Sequence, residues 1–209
     1  MMSRIDLWPI VFTERQALAN DLASLSEAQW STPSLCSAWN VRDVLAHMTG
    51  TAKITPGSLI PNLVSSGFSF GRLQAKAIAE ERGASGADAL SHFEAVITSE
   101  KRPPGGKDVM LGETIVHAED IRRPLGLSHD YPTDALVEVA DFYKRSNFVM
   151  GSKRRIDGLT LRATDAGWSH GTGPEVSGPM VALLMALTGR KAALDDLSGE
   201  GVVTLRERP

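Results

Sequence analysis

The sequence predicts a mainly α-helical protein, with a helical bundle over residues 1–150 and a small α/β segment over residues 151–209. Three observations carry that expectation. Apolar residues recur at helical spacing through most of the first 150 positions, and the periodic stretches are separated by loops rich in proline and glycine. After Gly151 the pattern shifts to short alternating runs of the kind that half-buried strands show. Helices joined by loops of this length pack most simply as a bundle, and bundles place metal sites between facing helices.

Residues 5–25 open the chain, with Leu7, Ile10, Val11, Leu18, Leu22 and Leu25 at helical spacing, and Pro33 closes that unit. A second helix is predicted to run to about Thr49, capped by Asn40 or Ser37 and stopped by Gly50. Asp43 lies in its first turn, where the helix dipole favours negative charge, and His47 follows one turn later beside Val44 and Met48. Pro56, Gly57, Pro61 and Gly67 punctuate short helical pieces, followed by helices over 72–82 and 87–99. The Pro103-Pro-Gly-Gly106 loop leads to a helix bounded by Gly112 at its start and by Pro124 and Gly126 at its end. Thr133 is expected to cap a further helix with Leu136, Val137, Ala140, Tyr143 and Phe148 on its inner side. In the second segment, residues 159–164 read as a strand and Asp165-Ala-Gly167 as a turn before a strand containing Trp168. Gly171, Gly173 and Gly178 fall in a polar loop. A helix over 178–189 and a last strand over 202–205 complete the reading.

Composition narrows the function. The chain has 209 residues, 22% charged and 42% hydrophobic, with a net charge of −3, which is ordinary for a soluble globular protein. It lacks the basic block or aromatic–basic interleaving that nucleic-acid binding requires. It also lacks an apolar run long enough to cross a membrane and a signal-type N-terminus, so the expected location is the cytoplasm. The single cysteine, Cys36, excludes an internal disulfide and reads as a small buried hydrophobe outside any site.

Glu113 and His117 are four residues apart, so on a helix their side chains stack on one face, a metal-ligand spacing. The same spacing also suits a solvated ion pair that stabilises a helix by only about 0.2–0.5 kcal/mol. A second histidine in a similarly apolar helix, His47, favours the site over the solvated pair. His92, His129 and His170 have no such setting and read as surface or satisfied polar residues. No serine stands in a Gly-x-Ser-x-Gly elbow, and no His-Glu-x-x-His motif is present.

The motifs Trp39-Asn-Val-Arg-Asp-Val-Leu-Ala-His47 and Glu113-Thr-Ile-Val-His117-Ala-Glu-Asp120-Ile-Arg-Arg-Pro-Leu-Gly126 together resemble the actinobacterial mycothiol-dependent maleylpyruvate isomerase family. That family is a branch of the DinB-like metal-dependent thiol transferases. Gly158-Leu-Thr-Leu-Arg-Ala-Thr-Asp, Trp168-Ser-His-Gly and Leu187-Thr-Gly-Arg190 extend the resemblance over nearly the whole chain. It implies a DinB-like four-helix bundle holding one divalent metal, usually zinc, through His47, Glu113 and His117. Three nitrogen and oxygen ligands leave a fourth position open, as in catalytic zinc sites. Asp120 is expected either to orient a ligand or to pair with Arg122 or Arg123. The implied chemistry is activation of a low-molecular-weight thiol, mycothiol, for isomerisation of, or transfer to, a small electrophile. Arg72, and less so Arg82, are the candidate clamps for an anionic group, the alternative for both being a solvated helix face. Two other readings stay open: a metal-dependent hydrolase with Glu119 as base, and a metal- or ligand-binding module without catalysis. Monomer and homodimer are equally compatible with the sequence.

Overall fold

The computed structural model describes residues 6–147 and 150–209; Ile5 and Phe148 lie outside the described residues. The chain divides into two compact units, Met1–His129 and Asp130–Pro209. Among the described residues it is mainly α-helical, with one three-stranded sheet in the second unit.

The first unit contains α1 (Leu7–Leu22), α2 (Glu27–Trp30), α3 (Val41–Thr51), α4 (Pro56–Ser65), α5 (Phe70–Glu81), α6 (Gly86–Glu94) and α7 (Lys107–Leu125). Four of these close a ring: α1 packs on α6 and α7, and α3 packs on the same two helices from the other side. Leu18, Leu22, Val44, Leu45, Phe93 and Ile121 fill the centre of that ring. α5 lies along α3, whereas α4 contributes no buried side chain. The starts of the helices follow local chemistry. Asp6 caps α1 through the Trp8 amide, and Asn40 and Asp43 satisfy each other's backbone amides in a capping box that begins α3.

Two helix boundaries differ from expectation. α7 begins at Lys107, five residues before Gly112, because the apolar pattern continues backwards through Leu111 and Met110, both fully buried. Gly112 is a buried interior position, at a cost of about 1 kcal/mol relative to alanine that the packed face outweighs. α6 stops at Glu94 rather than near residue 99. The buried Arg15 guanidinium donates through Nη1 to the carbonyls of Val96, Ile97 and Ser99, in the turn that follows α6.

The second unit starts earlier than the expected boundary at residue 150. α8 (Thr133–Tyr143) packs on α10 (Met180–Leu187), so it belongs with the C-terminal elements. Pro132, not Thr133, stands at its N-cap, and no side chain caps it. After α9 (Ser152–Arg155) come β1 (Thr160–Ala163), β2 (Ser169–Gly171) and β3 (Glu175–Gly178) in the order β2-β1-β3. β1 runs antiparallel to β2 and parallel to β3. β3 occupies a stretch expected to be loop; its one apolar side chain, Val176, is fully buried and too little to stand out as a pattern. The expected last strand is instead α11 (Gly201–Glu207). Leu205 is buried and Val203 exposed there, and a four-residue apolar run does not distinguish strand from helix by itself. Among the described residues no helix is long and apolar enough to cross a membrane.

Phe93 has no exposed surface and sits where α6 meets α3. Phe93→Ala is expected to destabilise the first unit by about 3–5 kcal/mol, measured by denaturant unfolding.

Candidate metal centre

Packing of α3 against α7 brings His47 opposite Glu113 and His117, which are one turn apart on α7. His47 Nε2 lies 3.3 Å from Glu113 Oε1, and the two imidazole rings meet edge to face with centroids 5.0 Å apart. One ligand atom from each of the three residues falls within 4.8 Å of the others. Glu113 Oε1 is buried and makes no hydrogen bond among the described residues, although His47 Nε2 is 3.3 Å away. A buried carboxylate oxygen without a donor is costly, and a cation between it and the imidazoles would satisfy it. The donor set of two imidazoles and one carboxylate suits zinc and other first-row divalent ions.

Behind His117 stands Asp120, fully buried one turn further along α7. Its Oδ2 is 2.9 Å from His117 Nδ1 and 3.0 Å from the Cys36 thiol, which donates to it. Accepting the Nδ1 proton of His117 leaves Nε2 of that ring as the nitrogen that could take a metal ion. Arg122 and Arg123 are engaged elsewhere, with Asp21 and Glu119 respectively. The two imidazoles are held in opposite electrostatic states. Burial lowers the pKa of His47, with the neighbouring His117 acting in the same direction and Glu113 and Asp120 opposing it. Burial also works against charge on His117, but the hydrogen bonds with Asp120 and Cys36, and the charge of Glu113, outweigh it and raise its pKa to about 10. The pocket therefore favours one positive charge next to Glu113, which a proton supplies in the absence of a metal.

The other candidates lie apart from this cluster. Arg72 is exposed in the first turn of α5, with its guanidinium end beside Gly67, and among the described residues no hydrogen bond or ion pair joins it to the three residues. Arg82 pairs with Asp43 at 3.3 Å. Glu119 is buried and held by Arg123 Nε at 2.7 Å, and among the described residues it is in neither set of side chains that could hold a metal ion, His47–Glu113–His117 or Cys36–His117–Asp120. His92 and His129 are occupied by the Glu81 carbonyl and by Glu14, and His170 is on β2 in the second unit.

Residues 11–102 match the family model described as the mycothiol maleylpyruvate isomerase N-terminal domain. This part of the chain is similar to that family. Over 100% of the chain, the fold is also similar to a crystal structure of the mycothiol-dependent maleylpyruvate isomerase, at 15% identity with a TM-score of 0.67 and 98% of that chain covered. A crystal structure of a histidine-to-alanine mutant of that isomerase is equally similar, with a TM-score of 0.66 at the same identity and coverage. At this identity the likeness establishes a shared fold, the DinB-like bundle with its small C-terminal segment. No functionally curated protein matches the sequence. Within the mycothiol maleylpyruvate isomerase N-terminal match lie His47, Cys36 and Trp39, whereas Glu113 and His117 on α7 fall beyond it.

Two residues of the matched segment come to the site although the sequence reading did not place them there. Cys36 is half-buried with its sulfur 3.8 Å from His117 Nδ1, and so is at the constellation rather than outside it. Trp39 lies over His47 with ring centroids 4.8 Å apart. Both belong to one short loop whose ends pair through a bridge between Pro33 and Asn40. Within the loop, Ser34 Oγ accepts from the Cys36 amide and donates to the Trp39 carbonyl. The loop is fastened to α7 by a hydrogen bond from the Leu35 amide to the Asp120 carbonyl, 3.1 Å long. That carbonyl is available because Pro124, four residues on and still inside the helix, has no N–H to reach it. The signal for this attachment is Pro124 itself, which reads from sequence only as a terminator.

Pro124→Ala would restore an N–H able to claim the Asp120 carbonyl. The expected result is faster hydrogen exchange at the Leu35 amide with the helix content of the unit unchanged, measured by amide exchange in the metal-free protein.

Proposed function

We propose that the chain is a metal-dependent enzyme that uses a low-molecular-weight thiol, mycothiol by analogy with the named activity of its structural neighbours, to isomerise or modify a small electrophile. The observation that supports this reading most is the convergence of His47, Glu113 and His117 around a buried carboxylate oxygen that lacks a donor among the described residues. In this reading the three residues hold one divalent ion, zinc by its donor preference, and Asp120 orients His117 from behind. A divalent ion bound there supplies the positive charge that stabilises a thiolate near neutral pH.

The chain's own residues supply orientation and exclusion. His117 and Asp120 are buried, so the α7 side of the site is dry, whereas His47 and Glu113 are only partly covered and mark the open side from which a thiol and an electrophile enter. Arg72 is the proposed clamp for an anionic group, since it is exposed and its helix lies along α3, which carries His47. The hydrolase alternative requires Glu119 as base, and its ion pair with Arg123 and its place outside the cluster weigh against that role. With no membrane-crossing helix among the described residues, a cytoplasmic location stays the proposal, as does the choice between monomer and homodimer.

His47→Ala and His117→Ala are each expected to abolish stoichiometric zinc, read by elemental analysis, while the far-ultraviolet helix signal is kept. A mycothiol analogue should bind to the zinc-loaded protein and not to either variant, read by calorimetry. Zinc retained in both variants would sink the metal centre. Zinc bound without any thiol binding would sink the thiol chemistry and leave a metal-binding module.

A further inference from the structure

We propose that the loop of residues 33–40 is the positioning element of the metal centre, with the Cys36 thiol acting through Asp120 on His117 and the Trp39 ring acting directly on His47. The inference rests on the metal reading for its purpose, but the geometry that supports it involves only this chain's own side chains.

Cys36 and His117 both address the same oxygen, Oδ2 of Asp120, at 3.0 and 2.9 Å. Asp120 is fully buried, so a carboxylate rotation that turned this oxygen away would leave the buried His117 N–H and the half-buried Cys36 thiol poorly paired. The thiol thus fixes the carboxylate, and the carboxylate fixes the plane of the His117 ring, which decides where its Nε2 points. On the other side of the loop, Trp39 lies over His47 at 4.8 Å and 37°, limiting rotation of that ring about its Cβ–Cγ bond. One backbone attachment, the Leu35 amide on the Asp120 carbonyl, sets the height of the loop over α7 and with it both contacts. A cysteine that merely filled space would have no reason to direct its hydrogen at a buried carboxylate. Asp120 would also accept a hydroxyl donor, so serine should substitute where an apolar group of similar size should not.

The test is zinc affinity by competition with a chromophoric chelator, run beside proton NMR of the metal-free protein, for Cys36→Ser, Cys36→Val and Cys36→Ala. Partners that orient metal ligands are worth about 10–100-fold in affinity, so Cys36→Val and Cys36→Ala should weaken zinc binding by at least about tenfold, whereas Cys36→Ser should stay near the native value. Without metal, the downfield Nδ1–H resonance of His117 should be slowly exchanging in the native protein and in Cys36→Ser, and exchange-broadened in the other two. Melting temperatures report packing separately, and the alanine variant serves if the valine one does not fold. An unchanged resonance and unchanged affinity in the apolar variants would overturn the role of Cys36 while leaving the metal centre standing. Serine falling as far as valine would equally overturn it, because packing or metal ligation by the sulfur, and not donation to Asp120, would then be what matters. A native protein that takes up no zinc, but whose resonance is lost in Cys36→Val and kept in Cys36→Ser, would refute the metal reading and uphold the positioning of His117 by the loop.

Discussion

The packing of α3 against α7 is the constraint on which the site depends, because it encloses an acid and two imidazoles where water has little access. Among the described residues Glu113 Oε1 has no hydrogen-bond donor, and burying a carboxylate oxygen in that condition is among the costly things a fold can do. The bundle accepts the cost in a place where a single positive charge removes it. That charge can be a proton held on His117 or a cation held by all three side chains, and the two are mutually exclusive. The site is therefore built around a deficit of positive charge, and its neighbours are arranged to keep that deficit unfilled by the protein itself. Arg122 and Arg123, close in sequence, are committed to Asp21 and Glu119.

Arg15 is a cation that the same bundle buries and ties to backbone. Its guanidinium is buried and donates to three carbonyls beyond the end of α6, and burial lowers its pKa to about 10 even though Glu113 favours its charged form. The side chain that could have neutralised Glu113 is thus tied to backbone, closing the turn from α6 toward α7.

Much of the first unit can be read from sequence because its signals are local. The Asn40–Asp43 pair, the Gly126 stop and the spacing of Glu113 and His117 all act within one or two helical turns. That His47 faces α7 is a tertiary matter, and only the apolar neighbours Val44 and Met48 hint at it. The start of α7 was hidden because Gly112 resembles a boundary, yet the buried Met110 and Leu111 carry the helix through it. In the second unit the segments are short, so β3 and α11 each offer a single buried apolar side chain, Val176 or Leu205, too few for a period to show. Cys36 was unreadable for a different reason. Its partner Asp120 is 84 residues away, and no pattern within the loop announces a thiol directed at a carboxylate.

Pro124 gives the site a dependence of an unusual kind. Reactive centres are commonly inventoried by the groups that their side chains bring, and by that count proline brings nothing. Here its contribution is a hydrogen atom that it lacks, which leaves one main-chain oxygen uncommitted on the buried side of α7 for another strand of the chain to grasp. Chains that keep both histidines and the glutamate but carry an ordinary residue at this position would pass any motif-based comparison, yet their ligands would be less firmly oriented.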